Sequence, residues 1–187
     1  MPTLHIVVAS TRPGRAGLPI ATWFHAFAQA HGKFEAKLVD LAAVGLPLID
    51  EPHHPNLRQY TKDHTKAWSA SVAAADAFVF VTPEYNYSTP PALLNAFDYL
   101  FHEWHYKPAA LVSYGGLSAG LRAAQMTKLV VSALKMVPLS EAVAIPFFRQ
   151  HLKDDVFTPT EAHEKSATGM LDELLRWTNA LTVLRTS

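Results

Sequence analysis

The tightest constraint on the fold is a set of short, unbroken apolar runs that recur between longer helical patterns. Residues 4–9, 78–81 and 109–114 are mostly β-branched, aromatic or small, with little alternation. That is the pattern of strands covered on both faces. Residues 34–41 alternate enough for a strand nearer an edge, and residues 143–145 form a weaker fifth run. Between these runs, apolar residues return at helical spacing. They are Ile20, Trp23, Phe24 and Phe27, then Leu57, Tyr60, Trp68 and Val72, then Leu93, Phe97, Leu100 and Trp104. Met126, Leu129, Val130, Ala133 and Leu134 follow, and the cleanest stripe closes the chain at Leu171, Leu174, Leu175, Thr178 and Leu181. Strand–helix units repeated in this way give a parallel sheet with helices on both faces, joined by right-handed crossovers. Five such units in 187 residues suit an α/β three-layer sandwich of flavodoxin-like order 2-1-3-4-5 better than the longer six-strand dinucleotide fold. No repeat or linker divides the chain, so a single domain over residues 1–187 is expected, with the Pro-rich stretch 46–55 as a surface loop.

Composition removes several function classes. With 49% hydrophobic and 17% charged residues the chain is no disordered segment. Sixteen basic residues against sixteen acidic ones leave no net charge, so no overall field draws in a nucleic acid. The absence of cysteine excludes disulfides, thiolate metal sites and thiol catalysis. No apolar segment is long enough to span a membrane. The stretch from Met1 to Ala9 lacks the basic start and apolar length of a signal peptide. A cytoplasmic protein is expected, in which the sequon Asn86-Tyr87-Ser88 stays unglycosylated. The low charge content also hints at oligomerisation.

In a sheet of this kind ligands sit beyond the carboxyl ends of the strands, where the strand order reverses. Three loops fall there. Ser10-Thr11-Arg12-Pro13-Gly14-Arg15-Ala16-Gly17 brings hydroxyls, two guanidiniums and two glycines to a helix start, a combination suited to phosphate. It is neither a P-loop nor G-x-G-x-x-G; its bland alternative is a basic loop that caps the helix. Thr82-Pro83-Glu84-Tyr85-Asn86-Tyr87-Ser88-Thr89-Pro90 places two tyrosines outside any regular period, either as a Pro-bounded turn or as the rim of a site for a flat aromatic group. Ser113-Tyr114-Gly115-Gly116-Leu117-Ser118-Ala119-Gly120 supports two readings. Paired glycines let the backbone approach a ligand closely. The same segment also fits the G-x-S-x-G elbow of serine hydrolases, with Asp154 or Asp155 and His163 following in hydrolase order. Against the hydrolase, too little chain follows Ser118, and the other two loops are left without a role.

Ten histidines invite a metal reading. His102-Glu103-Trp104-His105 is one residue short of H-E-x-x-H, and His53-His54 has no evident third and fourth ligand. Solvated or capping histidines are the expectation, and no metal site is assigned.

Taken in order, the three loops, with Asn95-Ala96-Phe97-Asp98-Tyr99-Leu100 and Lys107-Pro108, resemble the NADPH-dependent FMN reductase family over nearly the whole chain. Pro83-Glu84-Tyr85-Asn86 is the most specific segment. The resemblance implies a flavodoxin-like oxidoreductase that binds FMN, takes hydride from NADPH (NADH being possible) and passes electrons to a small acceptor such as a flavin or quinone. It implies that Ser10, Arg12, Arg15 and Gly17 hold the FMN phosphate. Pro83, Glu84, Tyr85 and Asn86 would line the ring, and Ser113, Gly115 and Gly116 its other side or the ribityl chain. No side chain is implied as a catalytic acid or base. Ala9 stands where the family usually has Gly, and Leu94 where Lys is common. A homodimer or homotetramer is expected through a helix from Ala92 to Trp104, whose second stripe holds Leu94 and Phe101. A serine hydrolase and a non-enzymatic flavodoxin-like module remain the alternatives, although a carrier of that kind is usually strongly acidic.

Overall fold

The computed structural model describes residues 1–185. Its sheet runs β2 (Glu35–Asp40), β1 (Thr3–Val8), β3 (Ala77–Pro83), β4 (Pro108–Tyr114) and β5 (Val137–Ile145). All four pairings are parallel, which is the expected order 2-1-3-4-5. Every residue of β3 and β4 is buried, whereas β2 at the edge is half open. Unbroken apolar runs therefore mark the central strands, because both of their faces are covered.

Two cores follow from the alternation of side chains across the sheet. Ile6, Val8, Val79, Val81, Val112, Val143 and Ile145 pack beneath α1 (Gly17–His31) and α6 (Glu161–Arg185). Val7, Phe78, Phe80 and Leu111 face α3 (Asp63–Ala74), α4 (Pro91–Asp98) and α5 (Leu121–Ala133). Trp104 anchors this second core, its ring 5.1 Å from Phe78, 5.3 Å from Phe97 and 6.0 Å from Trp68.

Several sequence expectations need correction. The helix expected from Ala92 to Trp104 is α4 alone and ends at Asp98; Trp104 lies in a separate 3-10 turn, His102–Trp104. Leu93, Phe97, Leu100 and Trp104 are nevertheless all buried in their own chain. The stripe marks core positions, but they are delivered by α4 and the segment after it and not by one continuous helix. Its outer side is partly covered by the Pro-rich loop, where Asn95 accepts from Ile49 N–H at 2.9 Å and Tyr99 donates to the Pro47 carbonyl at 3.2 Å. Leu57 and Tyr60 precede α3 rather than belonging to it. In α5, Leu129 is 75% exposed, and the buried face is Ala123, Ala124, Thr127 and Val131. Small residues carry little hydropathy, so the true face was hidden. β5 begins six residues before the expected run of 143–145, because exposed Ser140 and Glu141 interrupt its apolar pattern.

A hairpin absent from the sequence reading, β6 (Leu152–Lys153) and β7 (Val156–Phe157), turns through Asp154 and Asp155 at φ 49° and 57°. A two-residue turn of this hand favours Asp, Asn and Gly. α2 (Leu41–Val44) is one turn, capped by Asp40, which accepts from Ala42 N–H at 3.1 Å.

His5 lies buried in β1, its ring edge-on to Phe78. Burial, with the charges of Lys37 and Lys107 nearby, pulls its pKa from 6.5 down to about 4. The unfolded chain thus takes up a proton that the folded chain refuses across this window. Stability is full above pH 6.5 and is lost as pH falls toward 4, by at most about 1.4 kcal/mol per pH unit. We expect His5→Leu to flatten this loss, as read from urea midpoints at pH 7 and pH 5.

Candidate functional site

The three loops meet at the carboxyl edge of the sheet. Ser10 follows β1 and is fully buried, and Tyr114, at the end of β4, donates its hydroxyl to Ser10 Oγ at 3.2 Å. Burial pushes the Tyr114 phenol well above its ordinary pKa, so it remains a protonated donor. Gly17 opens α1 against this pair. A Cβ there would collide with Ser10 Oγ and lie 2.7 Å from the Tyr114 hydroxyl, so only glycine lets the helix start this close. The start of α1 has no side-chain cap and no acidic residue in its first turn. Its leading N–H groups lack intrahelical acceptors and carry the positive end of the helix dipole.

The guanidiniums around this edge differ in state. Arg15 pairs with Asp40 at the end of β2, and Arg122 pairs with Glu84. Arg12 and Arg149 have no ion pair among the described residues.

Glu84 organises the tyrosine loop. Its side chain is only 8% exposed and accepts from Arg122 Nε at 2.7 Å, Arg122 N–H at 3.1 Å and Ser118 Oγ at 3.3 Å. Burial alone would raise this carboxyl, but the Arg122 hydrogen bonds and charge outweigh it and hold the pKa below the usual range. Beyond Glu84 the chain reverses through Asn86 and Tyr87 at φ 51° and 66°, closed by reciprocal hydrogen bonds between Tyr85 and Ser88 of 3.0 and 2.9 Å. A tyrosine in the left-handed region is strained. Here the Tyr87 ring is held on the Arg122 guanidinium at 3.9 Å while remaining 70% exposed. Arg122, at the start of α5, thereby fastens the loop after β3 to the segment after β4.

Between these loops lies a cleft of about 490 Å³, lined by Arg12, Arg15, Pro83, Glu84, Tyr85, Gly115 and Gly116, with Tyr114, Phe148, Arg149, Leu152 and Asp155 among its other walls. Seven of the eleven residues singled out from the sequence therefore share one cavity. Asn86 lines an adjoining depression that also touches Arg12 and Tyr85. Ser10, Gly17 and Ser113 are buried, and the Ser113 hydroxyl has no hydrogen-bond partner. A larger depression of about 730 Å³ around Glu103 and Lys107 lies at the opposite edge of the sheet. Arg122, Phe148 and Arg149 were not legible as site residues. The Asp154-Asp155 turn was the one signal that the chain doubles back here.

The rival chemistry fails on geometry. Ser118 donates to Glu84, whereas His163 accepts from Thr160 N–H at 3.1 Å and packs against His151 and Phe157. Asp154 and Asp155 form the hairpin turn. His102 bonds the Asn56 carbonyl, and Glu103 accepts from Tyr60 and Ser69. Among the described residues no group of three or more His, Asp or Glu side chains is gathered to hold a metal.

Fold and site together define a flavodoxin-like α/β protein with a cleft at the carboxyl edge of its sheet, between the start of α1 and the tyrosine loop. The family model described as NADPH-dependent FMN reductase matches residues 2–150, and the chain belongs to that family. It is 42% identical over 149 residues to an NAD(P)H-dependent FMN reductase of Schizosaccharomyces pombe, covering 78% of this chain and 74% of that one. It is 35% identical over 153 residues to the NAD(P)H-dependent FMN reductase of Saccharomyces cerevisiae, covering 78% and 80%. Among solved structures, the flavoenzyme NAD(P)H:(acceptor) oxidoreductase FerB of Paracoccus denitrificans aligns with a TM-score of 0.76 at 21% identity, over 96% of this chain and 98% of that one.

Because the start of α1 is seated on Ser10 and Tyr114, Gly17→Ala should cost about 1–3 kcal/mol of stability, measured by urea unfolding. Tyr114→Phe in the same chain should recover part of that loss by removing one of the colliding atoms.

Proposed function

We propose that this chain is an FMN-dependent NAD(P)H oxidoreductase that reduces a small acceptor, a flavin or quinone. The observation that carries this reading is the uncapped start of α1, beside buried Ser10 and unpaired Arg12, opening into a cleft walled by Tyr85 and by Gly115 and Gly116. The residues present fit FMN. Free N–H groups, a hydroxyl and a guanidinium suit its phosphate, and the unpartnered Ser113 hydroxyl is a polar group in want of a ligand.

On this reading Ser10, Arg12 and the N–H groups at Gly17 hold the phosphate, and Arg15 adds charge it already shares with Asp40. Pro83, Glu84, Tyr85 and Asn86 line the ring chiefly through their backbone, and Ser113, Gly115 and Gly116 take its other side or the ribityl chain. When bound, FMN supplies the redox chemistry, accepting hydride from NAD(P)H and delivering electrons onward. The protein's part is orientation and charge. Backbone N–H groups near the ring stabilise negative charge developing there, and Tyr85 and Tyr87 offer a face for the nicotinamide to stack on. Glu84, ionised and clamped by Arg122, is ill-suited to donate a proton. No side chain is required as acid or base.

NADPH is the preferred donor on this reading, NADH the second. The cytoplasm, which supplies both, is the fitting compartment. A homodimer or homotetramer is also part of the reading, with half-buried Leu94 and Phe101 as the remaining apolar surface of the 91–104 segment. Light scattering of the parent and of Phe101→Glu checks it, and a monomeric parent with normal turnover would refute it.

The purified protein should show a flavin spectrum or take up FMN, and anaerobic NADPH should bleach the flavin band. A colourless protein that ignores FMN and oxidises no NAD(P)H would sink the reading. Arg12→Ala should weaken FMN binding by about ten- to a hundredfold, measured by quenching of FMN fluorescence.

A further inference from the structure

Four guanidiniums stand around the cleft, and two have work already. Arg15 is held by Asp40 and Arg122 by Glu84. Arg12 and Arg149 both line the cavity with no ion pair among the described residues. They rise from different walls. Arg12 follows β1, beside the start of α1, whereas Arg149 follows β5, three strands away in the sheet. At ordinary strand spacing their backbones are separated by roughly 14 Å. A phosphate seated at the start of α1 belongs to the Arg12 side, which leaves a second cation on the far wall.

That far wall is built with care. Phe147 sits in the left-handed region at φ 46°, a costly place for an aromatic residue, and the residue is 47% exposed. The strain is held by two backbone hydrogen bonds to the glycine loop, Phe147 N–H to Gly116 at 3.0 Å and Phe148 N–H to Gly115 at 3.2 Å. The kink turns Phe148 onto Tyr114, ring centroids 5.3 Å apart, and sets the Arg149 guanidinium 5.8 Å from the Phe148 ring. Asp155 also lines the cleft but makes no ion pair with Arg149. An exposed guanidinium without an ion pair therefore stands on the rim of the cleft, set there by a strained turn.

We propose that Arg149 is a specificity-determining residue that grips a phosphate of the reduced nicotinamide dinucleotide. This rests on the reductase reading above, in which the dinucleotide is a phosphorylated molecule that enters and leaves the cleft. Arg12 keeps the resident phosphate, Arg149 the visiting one.

The test compares the FMN-loaded parent with R149A and R149K. KM is measured for NADPH, NADH and 1-benzyl-1,4-dihydronicotinamide, a hydride donor without phosphate. Calorimetric titration with NADP⁺ and NAD⁺ and the dissociation constant of FMN complete the set. In R149A we expect dinucleotide KM to rise about tenfold relative to the phosphate-free donor. The calorimetric affinity should fall in parallel, FMN affinity should change by less than about twofold, and R149K should recover part of the loss. A loss confined to NADPH and NADP⁺ assigns the 2′-phosphate; an equal loss with NADH and NAD⁺ assigns the pyrophosphate. If R149A instead weakens FMN, or moves no dinucleotide constant, the proposal is overturned. R149Q, which keeps the side-chain stem, carries the same test should R149A fail to fold. A parent that neither binds FMN nor oxidises NADPH brings down the reductase reading itself, and this inference with it.

Discussion

Burial of β3 and β4 on both faces is the constraint on which the rest depends. A parallel sheet sandwiched between two helical layers has no free face, so polar chemistry must be displaced to the ends of its strands. At the amino edge the Lys107 ammonium donates to the Val72 and Ala73 carbonyls at the end of α3. At the carboxyl edge the loops are left open. The cleft lies there because β1, β3 and β4 end side by side, with Val8 paired to Val81 and Val81 to Val112.

Cohesion at that edge comes from a small number of side chains that cross between loops. Tyr114 joins the end of β4 to Ser10 after β1, and Arg122 joins the start of α5 to Glu84 after β3. Backbone bonds join Phe147 and Phe148 to the glycine loop. Each link is between segments distant in sequence, so the rim is assembled only when the sheet is. Glu84 shows how position can mislead about role. It lies in the segment most characteristic of the family, yet its carboxylate is spent on Arg122 rather than turned into the cleft as an acid.

Much of this was legible in the sequence, for definite reasons. Strands covered on both faces leave unbroken apolar runs, which is why residues 4–9 and 109–114 stood out, and strand order then fixed which loops to read. Seven of the eleven residues expected at the site share the cleft because the strand ends determine their location. What escaped depends on contacts that no local pattern records. Trp104 looked like the last turn of a helix because it is buried at helical spacing, but a separate turn delivers it. The buried face of α5 is Ala and Thr except for Val131, and the hydropathy of Ala and Thr does not announce burial. Arg122 and Arg149 are ordinary surface residues in the sequence; Glu84 fixes the first, and the bonds from Phe147 and Phe148 to the glycine loop place the turn that carries the second.

The Arg15–Asp40 pair has a consequence for the protein before any ligand arrives. Two guanidiniums and the positive end of a helix dipole crowd into one loop, an arrangement that repels itself when empty. Asp40 supplies a permanent counter-charge from the end of the edge strand while also capping α2. The loop is thus already half neutralised, and its shape does not wait on a bound anion. The geometry of the loop is therefore set by the chain's own charges, before anything fills the cleft.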